Sequence, residues 1–495
     1  MEMDLVIKGG KVIFPDDGVF EVDIGVSDGI IKAIGKDLSF SSYNEVINAQ
    51  GKYVLPGIID SHTHIGMHEN IPVDARTETS AAIAGGITSV LNYYRAGRNN
   101  VETEKISTVP ESYLKIFPEV LKQSSGNFYT DFGYHLAPVT KQHIEEIPQL
   151  VTEYGVTTYK FYMHYLGIKP EDHFDINSLT EHLDFLFSDD VYDLGFLFKI
   201  MRKVANLYAQ GHEVRVNIHA ENPALVRVNK EITKEKAEHE SLTPLEAYNL
   251  GKPSSVERLG IIEATELSNE TGAPITLLHI SSHKAVSAVD DSRKIFQNLN
   301  MNVETTLHHL TLSLDMFDNS LAKVNPPIRP KSDVDSLWEG LINGSIQTIV
   351  TDSAASRRKL KPQDIWKAKP GFGGLDVFLP AIITEGHFKR NIPLEKVIAF
   401  ITKNPARIHG LGDKKGNIKI GSDADFVLCD LKEERRVPDD NRYSAQDFNL
   451  FAGAKMRGFP IKTILRGITV FDGNQVIGKP QGKYLKRPYT YYQSQ

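Results

Sequence analysis

From Val54 to Asp352 the chain repeats one local pattern, a short apolar run followed by a stretch with helical periodicity. Strands that alternate with helices cannot be joined as hairpins; they pair in parallel, and each helix crosses back over the sheet. Eight runs have strand character: Val54–Ile59, Ile87–Tyr93, Phe128–Leu136, Val156–Met163, Glu213–His219, Ile275–Ile280, Asn302–Leu307 and Thr348–Asp352. Eight such units close a barrel rather than leave an open sheet. Helical stretches fall between them, for example Ala75–Ala84 and Val286–Leu299, the former closed by Gly85-Gly86 as suits a helix C-cap. Leu394–Thr402 supplies a last helical unit. The prediction is an α/β fold, a TIM-like (β/α)8 barrel spanning residues 54–410.

Residues 1–53 have a different texture, with short alternating strands and glycine turns, and that texture returns over 411–481. The two flanks are expected to pair into one small β-sandwich module built from both termini. The tail, 482–495, is basic and tyrosine-rich and reads as an arm docked on the body or on a neighbouring subunit. A chain of 495 residues can bury a large core and hold more than one domain. The net charge of −7 argues against a general nucleic-acid surface, and the single cysteine, Cys429, excludes a disulfide framework within the chain. No apolar run approaches the roughly 20 residues that cross a bilayer, and the N-terminus has no signal-peptide pattern, so a cytoplasmic protein with no membrane or nucleic-acid partner is expected.

Active sites of such barrels lie at the carboxyl ends of the strands. Those ends carry His62 and His64, Lys160, His219, His279 and Asp352. His62 and His64 are two apart in an extended chain, so both imidazoles face one side, and neutral imidazole is a common ligand for zinc-like metals. Lys160 is the odd member, because an ammonium has no lone pair to donate. One reading is a structural ion pair. The other is a neutral amine, its pKa lowered by burial near cations, that takes up carbon dioxide; the resulting carbamate could bridge two metals.

At this point the sequence resembles the binuclear amidohydrolases of the hydantoinase, dihydropyrimidinase and allantoinase group. The resemblance rests on His62-Thr-His64, Lys160 in Tyr-Lys-Phe-Tyr-Met-His-Tyr, His219-Ala-Glu-Asn, His279-Ile-Ser and Thr351-Asp352. Ala84-Gly-Gly-Ile-Thr, Val303-Glu-Thr-Thr-Leu-His-His-Leu, Lys323-Val-Asn-Pro-Pro-Ile-Arg, Lys403-Asn-Pro-Ala-Arg and Gly421-Ser-Asp-Ala-Asp extend it over nearly the whole chain. It implies two divalent metal ions per subunit, zinc first, with manganese or iron as alternatives. His62, His64 and Asp352 would hold one metal and His219 and His279 the other, bridged by Lys160 as N6-carboxylysine and by a hydroxide. The hydroxide would attack an amide carbonyl, with Asp352 shuttling its proton to the leaving nitrogen. Tyr165 matches the tyrosine that donates to the developing oxyanion, and Asn325 a position whose backbone contacts the substrate. His308, after the seventh strand, is a candidate pocket residue. Family members are commonly homotetramers, so a tetramer or dimer is implied.

The chain departs from the pattern in three places. Ser353 stands where the family usually has a histidine after the aspartate. Gly66 stands where a dihydroorotase carries the arginine that binds the substrate carboxylate, which counts against that activity. Pro370-Gly-Phe-Gly-Gly374 occupies the region of the hydantoinase loop asparagine. Arg357 and Arg358 read as solvated surface groups, with anion binding as the alternative. His164 reads as packing, and His68, His212 and His283 as surface or supporting groups. A long connection, 166–190, reads as a lid or specificity loop or as a surface insertion. The expected function is hydrolysis of a cyclic amide, ureide or imide C–N bond. An allantoinase-like ureide hydrolase or the hydrolase of an atypical cyclic amide is the alternative within enzymes, and a non-catalytic scaffold the alternative from another class.

Overall fold

All eight predicted barrel strands form, and they pair in chain order. The computed structural model describes residues 2–15, 17–67, 69–96, 111–163, 192–237 and 239–488. We number the barrel strands β1 (Ile58–Thr63), β2 (Ile87–Tyr94), β3 (Asp131–Leu136), β4 (Thr158–Tyr162), β5 (Arg215–His219), β6 (Ile275–Leu277), β7 (Met301–Thr306) and β8 (Thr348–Val350). Every neighbouring pair is parallel, as crossover helices demand. The ring closes between β1 and β8. Thr63 bridges Ser353, the His64 N–H donates to the Ser353 carbonyl at 2.8 Å, and the Thr351 N–H donates to Asp60 Oδ1 at 3.1 Å. The strands are buried on both faces, and Val90, Phe161, Ile218, Leu277, Val303 and Ile349 lie in one apolar cluster shared with the surrounding helices.

The helices have identifiable starts. Ile71–Ala84 begins at Asn70, whose side chain accepts from the Val73 N–H, with Pro72 in the first turn. Leu194–Ala209 is capped by Asp193, whose side chain accepts from the Phe196 N–H. Among the described residues no helix is long and apolar enough to cross a membrane.

The flanks join as expected. Glu2–Phe14, Gly18–Ser27, Ile30–Gly35, Ser42–Asn48 and Tyr53–Pro56 share one sheet with Phe426–Cys429, Pro460–Leu465 and Ile468–Phe471. This module has its own apolar cluster, including Leu5, Ile24, Val54, Phe426 and Ile464. One expectation is corrected. The predicted strand Val54–Ile59 is two strands, for Tyr53–Pro56 pairs with Phe426–Cys429 in the module and the barrel begins only at Ile58. Gly57 makes the break. A Cβ there would lie 2.2 Å from Thr88 Oγ1 and 2.7 Å from Asp425 Cβ, so only glycine lets the chain pass between the two sheets. The apolar run continues across the break, and periodicity alone could not reveal it.

The described part of the tail, residues 482–488, docks on the body of its own chain. Phe132 N–H donates to the Lys483 carbonyl at 3.0 Å, and Leu485 N–H to the Phe132 carbonyl at 2.7 Å. Nearby, the Lys415 ammonium lies 2.7, 2.9 and 2.7 Å from carboxylate oxygens of Asp131, Asp423 and Asp425, welding β3 to the entry of the module.

Two variants test these joints. Gly57→Ala should lower stability by about 1–3 kcal/mol through overpacking, read as a lower urea midpoint. Lys415→Met removes the cation that the three buried carboxylates share, leaving only the Arg466 guanidinium on Asp131, and should cost about 3–5 kcal/mol. An unchanged midpoint in either variant would contradict the packing described.

Candidate metal centre

Five of the eight strand ends deliver one or two side chains to the barrel mouth. His62 lies in β1 and His64 just beyond it. The pairing of β1 with β2 shifts register between Asp60 and Thr63, and irregularities of this kind re-aim side chains beside active sites. Asp352 follows β8 in a left-handed conformation, φ 50°, and His279 follows β6 at φ 37°. Neither residue is glycine, so the surrounding contacts must hold both conformations.

His62, His64 and Asp352 converge. Asp352 Oδ1 is 3.1 Å from Nε2 of His62 and 3.1 Å from Nε2 of His64. Lys160 Nζ approaches His62 Nε2 at 3.1 Å. On the other side, the ring centroids of His219 and His279 are 4.4 Å apart, and His279 lies 5.5 Å from His62. Lys160 therefore lies against the group formed by His62, His64 and Asp352, and His279 links that group to His219. A second trio of carboxylates, Asp131, Asp423 and Asp425, is already filled by the Lys415 ammonium, with Arg466 also on Asp131, and is a structural ion cluster.

Lys160 is 1% exposed, and burial lowers its pKa to about 8 against the opposing pull of Asp352 and Glu304. Its Nζ sits 4.0 Å from the Tyr93 ring centroid and 4.5 Å from that of Tyr162. Burial, then the Lys160 charge, holds His62 well below the usual imidazole range, and burial with the neighbouring His219 does the same to His279. Neutral imidazoles are the form that binds metal.

Two carboxylates that the sequence reading left without a role orient these histidines. Glu304 Oε1 meets His62 Nδ1 at 2.5 Å, and Glu221 Oε2 meets His219 Nε2 at 2.7 Å. Lys252 Nζ donates to the same Glu221 oxygen at 2.8 Å. Carboxylate–histidine pairs of this kind fix the tautomer of metal-binding imidazoles. Glu221 was visible two residues after His219 in the same motif, whereas Glu304 lies 242 residues from His62 and only the fold joins them. Burial pushes Glu304 well above the carboxylate range. A cation in the site would reverse that and restore the carboxylate. His279 Nδ1 is buried with no hydrogen-bond partner among the described residues. An orphaned imidazole nitrogen, neutral histidines and two backing carboxylates fit a divalent metal centre.

The remaining candidates divide. His308 is buried, 5.1 Å from the Phe372 ring, and its Nε2 has no partner among the described residues. The Asn325 side chain is engaged by the Tyr248 hydroxyl, which leaves the backbone for any substrate contact. His309 is structural, accepting or donating between Thr306 and the Pro326 carbonyl. His212 is half-buried, while His283, Arg357 and Arg358 are exposed. Ser353 serves barrel closure through its backbone. Tyr165, His68, His164 and the 166–190 connection lie outside the described residues. Sequence reasoning also missed Tyr93, whose ring packs 4.4 Å from His62 and 4.5 Å from His135.

The comparisons with known proteins agree with this architecture. The family model described as "Amidohydrolase family" matches residues 53–470. A D-hydantoinase of Geobacillus stearothermophilus is 29% identical, over 98% of this chain and 97% of its own. An allantoinase of Rubrobacter xylanophilus is also 29% identical, with 98% and 97% covered. The crystal structure of a dihydropyrimidinase from Brevibacillus agri superposes with a TM-score of 0.82 at 26% identity, covering 99% of each chain. With the family model matching over residues 53–470, and relatives aligned over nearly the whole chain, the chain belongs to the amidohydrolase family.

Proposed function

We propose that the protein is a metal-dependent hydrolase that opens a C–N bond of a cyclic amide, ureide or imide. The observation that carries this reading is the convergence of His62, His64, Lys160, His219, His279 and Asp352 on one mouth, drawn from separate strands. The relatives named hydantoinase and allantoinase support the substrate class. In this reading His62, His64 and Asp352 would hold one divalent ion, His219 and His279 would hold a second, and Lys160, carboxylated on Nζ, would add oxygen ligands to them. When bound, the two ions supply a Lewis acid for the carbonyl and a hydroxide-strength nucleophile near neutral pH. Zinc is favoured by the imidazole-rich donor set.

The chain's own residues supply the rest. Asp352 accepts the proton of the attacking water and delivers it to the leaving ring nitrogen, so that it must be ionised at the start and neutral midway. Glu304 and Glu221 keep His62 and His219 in the ligating tautomer. Tyr165 donates to the developing oxyanion, and His308 and the Asn325 backbone line the ring pocket. A homotetramer or dimer and a cytoplasmic location belong to the same proposal and rest on the family resemblance.

Three measurements test it. Lys160→Ala should abolish both metal loading and turnover, and a variant with wild-type turnover would refute the bridging role. Loading of metal-stripped protein at fixed dissolved carbon dioxide should speed up as pH rises towards about 8, because only the neutral amine reacts, and level off above it. A panel of dihydrouracil, hydantoin, allantoin, cyclic imides and lactams, with added divalent metal, should show ring opening of at least one member. A protein that takes up no metal and is insensitive to carbon dioxide would favour the scaffold reading.

A further inference from the structure

The carbamate-bearing strand, β4, is poorly attached on one side. It pairs with β5 along its whole length, from Thr158 to Tyr162, but with β3 only where Leu136 meets Tyr159. The C-terminal arm fills the gap at the base. It pairs with Phe132 of β3 through Lys483 and Leu485, and the Arg487 N–H donates to the Gly155 carbonyl, at the entry to β4, at 3.2 Å. The approach is close enough that a Cβ on Gly155 would lie 2.5 Å from the Arg487 nitrogen. Arg487 then turns its side chain into the barrel floor, where it is 2% exposed.

We infer that Arg487 is a positioning residue of the metal centre, acting through Thr158 and His135 to set the spacing of the strands that carry His62 and Lys160. The inference rests on the metal reading proposed above. Arg487 Nη1 donates to Thr158 Oγ1 at 3.1 Å, and Nη2 donates to the Tyr134 carbonyl. A guanidinium has donors only, so the Thr158 hydroxyl must accept from it, and its own hydrogen turns to His135 Nδ1. That leaves the ring proton of neutral His135 on Nε2, which faces the Ser61 carbonyl at 3.1 Å. The relay has one direction throughout, fixed at its ends by the guanidinium, which only donates, and the Ser61 carbonyl, which only accepts.

Both ends of the relay touch the site. Thr158 stands two residues before Lys160 and shares its side of the strand, and Ser61 immediately precedes His62. His135 also stacks on Tyr93 at 4.5 Å, and the Tyr93 ring covers Lys160 Nζ at 4.0 Å. The last described residues of the chain therefore bear on ligands from two strands without touching either ligand.

The test uses the full chain as wild type, Arg487→Met, Arg487→Lys and Thr158→Val, each stripped and reloaded with zinc and bicarbonate. Bound zinc per chain, zinc affinity against a competing chelator and melting temperature are measured. Arg487→Met should bind zinc about tenfold or more weakly at temperatures far below its melting point, as loss of a supporting hydrogen bond does at metal sites. Arg487→Lys should recover part of the affinity, and Thr158→Val should reproduce the loss with the arm still docked. A purely structural arm would lower the melting temperature and leave zinc affinity unchanged, which overturns the inference. Should Arg487→Met fail to fold, the nearly isosteric Thr158→Val decides alone, by the same affinity. A wild-type protein that takes up no zinc would instead sink the metal reading itself.

Discussion

The site depends on the seam between β1 and β8. Asp60, buried in that seam, accepts the backbone N–H groups of His62 at 3.2 Å and Thr351 at 3.1 Å, and the Thr351 hydroxyl as well. Burial alone would make such a carboxyl costly to ionise, and it lifts the Asp60 pKa to about 7 even with these donors. One side chain thus fixes the register of first strand against last. Side chains alternate along a strand, so a slip of one residue would turn Asp352 away from His62 and His64. The barrel is closed by the same contacts that assemble half of the ligand set.

The ligand set also shows what the fold does to ordinary residues. Burial lowers the pKa of the His62 imidazole and of the Lys160 amine alike, and in both it favours the neutral form over the protonated one. Asp352 and His279 adopt left-handed backbone conformations that cost on the order of 1–3 kcal/mol each. That strain is tolerated because dense packing around the strand ends leaves no alternative, and it aims both side chains inward.

Much of this was legible in the sequence, for a physical reason. The strands of a barrel are buried on both faces, so they appear as apolar runs, and the ligand candidates stand where those runs end. His62, His64, Lys160, His219, His279 and Asp352 could be read in that way. What could not be read is what depends on distant pairing. Glu304 reaches His62, and Arg487 reaches Thr158 across 329 residues, without any local signal. The division at Gly57 was hidden by apolar residues on both sides of it, and only the identity of the neighbours, Thr88 and Asp425, explains the break.

The composite module has a consequence for biosynthesis. Its strand Tyr53–Pro56 leaves the ribosome roughly 370 residues before its partner Phe426–Cys429 exists. At about 5–20 residues per second, that sheet edge waits roughly 20–70 s with its backbone donors and acceptors unpaired. The barrel must therefore form while one flank of the molecule is still half a sheet. A nascent chain of this design exposes a template for strand addition during most of its synthesis, and its yield in the cell will depend on what shields that edge until the C-terminal strands arrive.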